Sequence, residues 1–294
     1  MLTPSQHVRS AGLTPTQNGA SSLQKSLGQP TSGKLKWYFQ FTPHDTHDWD
    51  AQSTPVLVDL AYKGEIRKLL LHPNRNGFFY VLDRETGEFL SARPFVEKLN
   101  WAKAIDSKGH PIEVPNMEPT PNGRKICPCS RGATNWMSPS FDPETKLLYV
   151  PTLEQCDKYV ASEHNPEPMK NLAGGGSESI PNEPGKFYLR ALDPLTGERR
   201  WEYPMTGPGT MWTGTVSTAA GLVFFGNDNG QLVAVDASTG KDLWHYSMGQ
   251  LLTASPMTFS AAGKQYVSIA AESDVFTFGL FEPAKPISTD RPSP

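Results

Sequence analysis

Asp48 and Asp50 are the first residues whose type and spacing point to chemistry. Two carboxylates two positions apart in a strand point the same way, so both can reach one ion. A hard cation takes oxygen ligands, and each added carboxylate suits a more highly charged one. Each has a plainer use as well: a turn or solvated residue for Asp48, an exposed strand-end residue for Asp50. Asp45 and His47, in the same run, read as residues that hold the loop by hydrogen bonds. Arg75 offers a permanent charge on a rigid fork of donors, or else is an ordinary surface arginine. Asn135 carries both a donor and an acceptor. Its neighbour Trp136, and Trp212, suit either a pocket wall or core packing. The three cysteines, Cys127, Cys129 and Cys156, make neither a disulfide framework nor a zinc spacing, and no Cys-x-x-Cys-His haem attachment occurs. Gly174-Gly175-Gly176 is flanked by Ser, Glu and Pro, not by a strand and a helix. It reads as a flexible loop, not a phosphate cradle.

The elements that must position these residues are strands. Gly and Pro number 25 and 27 among 294 residues, too many for a helical chain and suited to an all-β one rich in turns. Three segments repeat a pattern: Gly77-Phe-Phe-Tyr-Val-Leu-Asp83-Arg-Glu-Thr-Gly87, Phe187-Tyr-Leu-Arg-Ala-Leu-Asp193-Pro-Leu-Thr-Gly197 and Gly230-Gln-Leu-Val-Ala-Val-Asp236-Ala-Ser-Thr-Gly240. Each is a β-branched and aromatic strand closed by Asp-x-x-Thr-Gly. Asp and Thr can bond the turn backbone while Gly supplies positive φ, so the motif is a hairpin turn and not a catalytic site. A Trp stands four residues beyond a Gly at Trp37, Trp201 and Trp244; the copy ending at Gly87 has Ser91 there. Asp193 and Asp236 are 43 residues apart, a period that indicates propeller blades. The recurrent Trp is expected to pack between neighbouring blades. The stretches 92–134 and 157–186 read as insertions at blade edges. The fold expected is all-β, a partial β-propeller over residues 33–282. Residues 1–32 read as disordered or foreign to the fold, and 283–294 as a disordered Pro-rich tail.

Net charge is -3, so no basic excess favours nucleic acid as a partner. No run of eighteen apolar residues provides a membrane span. The first residues, Met1-Leu-Thr-Pro-Ser-Gln-His-Val-Arg-Ser, lack the apolar region of a secretory signal.

The run Trp37-Tyr-Phe-Gln-Phe-Thr-Pro43-His-Asp45-Thr-His-Asp48-Trp-Asp50 resembles a segment of the PQQ-dependent (quinoprotein) methanol and ethanol dehydrogenases. Further matches follow in the family's order: Asn74-Arg75-Asn76-Gly77, Cys127-Pro128, Asn135-Trp136, Ser140-Phe-Asp-Pro-Glu-Thr-Lys-Leu-Leu-Tyr-Val, Leu153-Glu-Gln-Cys156 and Trp212-Thr-Gly-Thr215. The similarity runs from about residue 33 to about 282.

That resemblance implies about half of an eight-bladed propeller, the C-terminal half, carrying pyrroloquinoline quinone and a calcium or lanthanide ion. It implies Asp48 as the base toward a substrate hydroxyl and as a metal ligand. Asp50 is the added carboxylate by which lanthanide-using members resemble this chain. Arg75, Asn135, Trp136 and Trp212 are implied as cofactor-binding residues, and Cys127 and Cys156 as a bridged pair, with Cys129 free or competing for the bridge. Family members are similar in oxidising small alcohols in the periplasm and passing electrons to a soluble cytochrome c. The rest of the family's metal shell, a Glu and an Asn, lies upstream of the matched region. Two carboxylates are too few for such an ion, which wants at least six oxygens. Three outcomes are therefore expected to compete. The first is a truncated fragment of an enzyme whose complete form oxidises alcohols. The second is a non-catalytic propeller remnant or binding scaffold without cofactor. The third is assembly with a complementary propeller half, or as a homodimer.

Overall fold

The computed structural model describes residues 24–28, 34–161, 175–210 and 212–280, and among them every regular element is a strand. β1 (Gln24–Gly28) pairs with β2 (Leu35–Gln40). β3 (Val56–Tyr62), β4 (Glu65–Pro73), β5 (Phe78–Asp83) and β6 (Phe89–Pro94) form a four-stranded antiparallel sheet in sequence order. β7 (Ala102–Ile105), β8 (Pro111–Glu113) and β9 (Arg124–Ile126) follow. β10 (Ser140–Asp142) and β11 (Leu147–Glu154) then begin a second sheet. β12 (Asp157–Ala161) leaves it to pair with β9 on one side and β13 (Gly175–Ser179) on the other, and β14 (Lys186–Leu192) and β15 (Arg199–Pro204) complete it. β16 (Thr215–Thr218), β17 (Leu222–Gly226), β18 (Gln231–Asp236) and β19 (Asp242–Ser247) make the third. β20 (Met257–Ala261), β21 (Lys264–Ala271) and β22 (Asp274–Gly279) form a three-stranded fourth.

These sheets are the blades that the repeat predicts. The middle strands are apolar on both sides because both faces are covered. Phe78, Phe79, Tyr80, Val81 and Leu82 of β5 are all buried, and β11 is buried throughout. One apolar layer joins Leu69, Leu71 and Phe79 of the first sheet to Leu148, Val150 and Leu192 of the second. Another joins Tyr149 and Leu189 to Val223, Phe225 and Val233 of the third, and a third layer joins Leu232 to Ile269 of the fourth.

The turn motif behaves as its residue types require. Asp83 Oδ1 accepts the N–H groups of Glu85 and Thr86, Asp193 Oδ1 those of Leu195 and Thr196, and Asp236 Oδ1 those of Ser238 and Thr239. Gly87 and Gly240 have φ of 78° and 71°, and they are glycine for a second reason. A Cβ on Gly87 would come within 2.6 Å of the Trp37 ring, and one on Gly240 within 2.5 Å of Trp201. Each indole lies on the turn of the next blade and donates through Nε1 to its backbone, Trp37 to Arg84 O and Trp201 to Ala237 O. The expected packing of Trp between blades therefore holds, buried, for these two. Trp244 also meets the next blade, edge-on to Phe278, but is 39% exposed, with no such turn beside it among the described residues.

Two further expectations are corrected. Residues 24–28, within the stretch read as outside the fold, form β1, because the extended β2 edge offers them a ladder; the remainder of 1–32, and 283–294, lie outside the described residues. Gly175 and Gly176 belong to β13, paired with Ala161 and Val160, and are not a loop. Gly174 lies outside the described residues.

Candidate active site

Arg75 is placed by the turn between β4 and β5. Asn74 O accepts the N–H of Gly77, and Asn74 Oδ1 that of Asn76. Asn76 is fully buried; its amide donates to Thr42 Oγ1 and Tyr80 Oη, and its Oδ1 accepts Phe78 N. The two asparagines bolt the turn, so the arginine between them takes no part in closing it. Arg75 is 4% exposed. Its Nη2 donates to Ser130 O and lies 3.6 Å from Asp48 Oδ2. Its Nε is buried without a partner. Gly132 packs on the arginine stem so closely that a Cβ there would come within 2.6 Å of it.

Asp48 and Asp50 do not sit on a strand, as the sequence reading assumed. Residues 43–55 form a loop, and Asp48 has a left-handed φ of 65°. Asp45 sets that conformation: its Oδ1 accepts His47 N at 2.8 Å and its Oδ2 accepts Trp49 N at 2.7 Å. His47 stacks on Trp49 with ring centres 4.3 Å apart, and its Nε2 bonds Met117 O. The reading of Asp45 and His47 as loop-holding residues stands. Trp49 is buried and donates from Nε1 to Cys129 O. With Trp49 anchored inward, Asp48 and Asp50 on either side turn the other way. The Asp48 side chain is 76% exposed. The Asp50 carboxyl is pushed up from its usual range, first by burial and next by the Asp48 charge, with Asp45 adding to this and Arg75 opposing it. Asp48 lies against Arg75, and the charges of both act on the Asp50 carboxyl. Among the described residues no group of three or more His, Cys, Asp or Glu is placed to hold a metal ion.

The other three residues form an adjoining cluster. Asn135 spends its amide on the loop, donating to Arg131 O and accepting Trp136 N. Trp136 is 41% exposed and stacks parallel to Trp212, with ring centres 6.0 Å apart and planes inclined by 6°. The Arg131 guanidinium lies 6.0 Å from the Trp212 ring centre. Arg131, Gly132, Thr134, Asn135 and Trp212 line one small cavity, where Thr134 Oγ1 is buried without a partner. Gly132 touches Arg75 and also lines this cavity, so it joins the two groups. The Cys127–Cys156 disulfide is formed, and Cys129 is free and buried. Trp49, Ser130, Gly132 and Thr134 escaped the sequence reading. Only Trp49 had a legible signal, an apolar ring between two acids.

The PQQ domain model (glucose/ethanol/alcohol dehydrogenase, beta-propeller domain) matches residues 29–99 and 204–267. The chain is 38% identical over 250 residues to the lanthanide-dependent methanol dehydrogenase of Methylacidiphilum fumariolicum, covering 82% of this chain and 40% of that one. It is 35% identical over 269 residues to the quinoprotein alcohol dehydrogenase PedH of Pseudomonas putida, covering 88% and 44%. The chain belongs to the PQQ β-propeller family. Solved structures of this family superpose on it. The quinohemoprotein alcohol dehydrogenase of Comamonas testosteroni does so with TM-score 0.78 and 33% identity, over 84% of this chain and 38% of that one. A europium-containing methanol dehydrogenase does so with TM-score 0.72 and 36% identity, over 84% and 44%. The chain spans about two fifths of the length of the relatives it matches.

Proposed function

We propose that this chain supplies the proton-accepting and charge-stabilising side of a PQQ- and metal-dependent oxidation of small alcohols to aldehydes. The observation that carries the reading is the approach of Arg75 to Asp48 at 3.6 Å, with Asp50 in the same field. The donor set fits the two groups the family binds. Asp48 and Asp50 offer hard oxygen ligands, with the extra carboxylate that suits a trivalent lanthanide or, failing that, calcium. Arg75 Nε and Thr134 Oγ1 are buried polar atoms that want a partner. When bound, the quinone supplies the hydride acceptor that no side chain can provide, and the ion supplies Lewis acidity.

The chain's own residues do the remainder. The Asp48 carboxylate, open to solvent, takes the proton of the substrate hydroxyl. The fixed guanidinium of Arg75 stabilises negative charge developing at the acceptor oxygen. Trp136 and Trp212 present flat apolar faces beside Asn135, suited to walling a planar ring. The periplasm, a soluble cytochrome c as electron acceptor, and completion of the ring by a complementary half or a second copy belong to the same proposal.

A second reading, a cofactor-free scaffold, draws on the count of ligands. Two carboxylates from this chain leave most of a calcium or lanthanide shell unfilled. Calorimetric titration of the purified chain with PQQ, in the presence of lanthanum or calcium, separates the two. Metal-dependent binding that Asp50→Ala weakens at least about tenfold, on the scale of one lost charged ligand, supports the enzyme. No binding with either ion, alone or together with the complementary half, supports the scaffold.

A further inference from the structure

The turn Asn227-Asp228-Asn229-Gly230 joins β17 to β18 as Asn74-Arg75-Asn76-Gly77 joins β4 to β5. The two share three hydrogen bonds. Asn227 N donates to Gln231 O at 2.9 Å, as Asn74 N does to Phe78 O at 3.0 Å. Gly230 N donates to Asn227 O at 3.2 Å, as Gly77 N does to Asn74 O at 3.1 Å. Asn227 Oδ1 accepts Asn229 N at 3.0 Å, as Asn74 Oδ1 accepts Asn76 N at 2.9 Å. Asp228 and Arg75 each stand eight residues before the Asp of their own Asp-x-x-Thr-Gly turn. Asp228 therefore holds in the third blade the slot that Arg75 holds in the first. Equivalent slots of radially repeated sheets face the common channel.

Asp228 is only 6% exposed, and its Oδ1 is buried with no hydrogen-bond partner. Burial holds its carboxyl above the usual range, with the N–H groups of Gly207 and of Asp228 itself opposing, neither of them in hydrogen-bond geometry with Oδ1. The slot does not need an acid to close its turn, because the same bonds form around Arg75. A carboxylate oxygen left without a donor in a buried place is costly, and the cost is recovered only when something donates to it. Beside it lie the Gly207 backbone and the Asn229 amide: a Cβ on Gly207 would come within 2.5 Å of Asn229 Oδ1 and 2.7 Å of Asp228 Oδ1, and Gly209 N donates to Asp228 O at 3.1 Å. Three residues beyond Gly209 stands Trp212, on the wall of the cavity that Asn135 and Gly132 share.

We propose that Asp228 is a specificity-determining residue on this channel, accepting a hydrogen bond from a second hydroxyl of the substrate, so that diols are preferred to alkanols of the same length. This rests on the reading of the Asp48–Arg75 region as an alcohol-oxidising site. A buried acceptor discriminates strongly against an analogue that lacks the donor, because binding the analogue leaves the acceptor unpaired.

The probes are 1,4-butanediol and 1-butanol. Ligand-observed NMR on the purified chain is expected to show the diol bound about tenfold more tightly. Asp228→Leu brings the ratio close to one. Asp228→Asn, which keeps an acceptor at the same place and the shape of the turn, retains part of the preference; near-UV circular dichroism establishes that each variant is folded. Equal binding of the two probes, or a preference that survives in Asp228→Leu, overturns the proposal. The kcat/KM ratio for the same pair, measured on the PQQ-loaded protein, separates this inference from the one beneath it. Turnover of both alcohols with a ratio indifferent to residue 228 removes the role of Asp228 and leaves alcohol oxidation standing. A diol preference that Asp228→Leu abolishes, in a protein that oxidises neither, removes the oxidation and leaves the binding role.

Discussion

The hairpin turns at the blade edges and the loop around Asp48 are made with the same acidic residue, and they treat it in opposite ways. In the turns each carboxylate is surrounded by donors. Burial raises the Asp83 carboxyl, but the N–H groups of Thr86 and Glu85, the Thr86 hydroxyl and Arg67 outweigh it and hold the group below its usual range. The Thr239 hydroxyl and two N–H groups do the same for Asp236. In the loop, Asp45 absorbs the available N–H groups of His47 and Trp49, and Asp50, with only the Gln52 side chain donating and the Arg75 charge opposing, is pushed up by burial and by the charge of Asp48. A carboxylate saturated with backbone donors is finished structure. Acids gathered against their own repulsion, beside an arginine with an idle Nε, keep unspent capacity for a ligand.

The largest expected effect tests whether Trp49 holds the loop. Trp49→Ala should destabilise the protein by about 3–5 kcal/mol, the cost of emptying a buried aromatic site, measured by denaturant unfolding. An effect below about 1 kcal/mol would mean that the indole is not the loop's anchor. Removing the Cys127–Cys156 bridge, which closes a 29-residue separation, should cost roughly 3–4 kcal/mol, read as the difference in unfolding between the double serine variant and the parent. Asp45→Ala strips two N–H groups of their acceptor and should cost about 1–3 kcal/mol, while loosening metal binding at Asp48 and Asp50 in calorimetry.

The turns sharpen the comparison through their glycines. Gly240 and Gly221 have nearly the same φ, 71° and 76°, but a Cβ on Gly221 meets nothing within 4 Å. Both alanine variants pay the same backbone cost, so Gly240→Ala should be worse than Gly221→Ala by about 1–3 kcal/mol, the overpacking of Trp201. Equal losses would show that the indole yields freely. The smallest effect is one of pH. The Asp83 carboxyl has a folded pKa below its unfolded value, so its stabilisation is present above about pH 4 and is lost as pH falls through the folded value. Asp83→Asn should therefore be less stable than the parent at neutral pH, and the two unfolding curves should approach each other in acid.

Much of the fold was legible because repetition carries it. The spacing of Asp193 and Asp236, the period-matched Trp residues and the Gly/Pro content led to blades, and the blades are there. Trp244 keeps the expected contact with the neighbouring blade, through Phe278, but stays 39% exposed because among the described residues no turn of that blade covers the ring. Within the site, the motif order selected Asp48, Asp50, Arg75, Asn135, Trp136 and Trp212, but the alternation argument for the acid pair was wrong in its backbone: a left-handed residue in a loop stands where a strand was assumed. Ser130, Gly132 and Thr134 carried no signal, since their roles depend on contacts with residues far off in the chain.

The sequence by itself determined what is local and periodic: strands, turns that need Asp, Thr and Gly, and the family to which these belong. Those properties follow from backbone propensity and nearest-neighbour hydrogen bonding, which a short window of residues contains. Only the tertiary structure decided which acids remain unpaired, that Arg75 faces Asp48, and that Asp228 repeats the slot of Arg75 with opposite charge. Such facts depend on burial and on partners brought together from distant strands, and the cost of an unpaired charge exists only once water has been excluded around it.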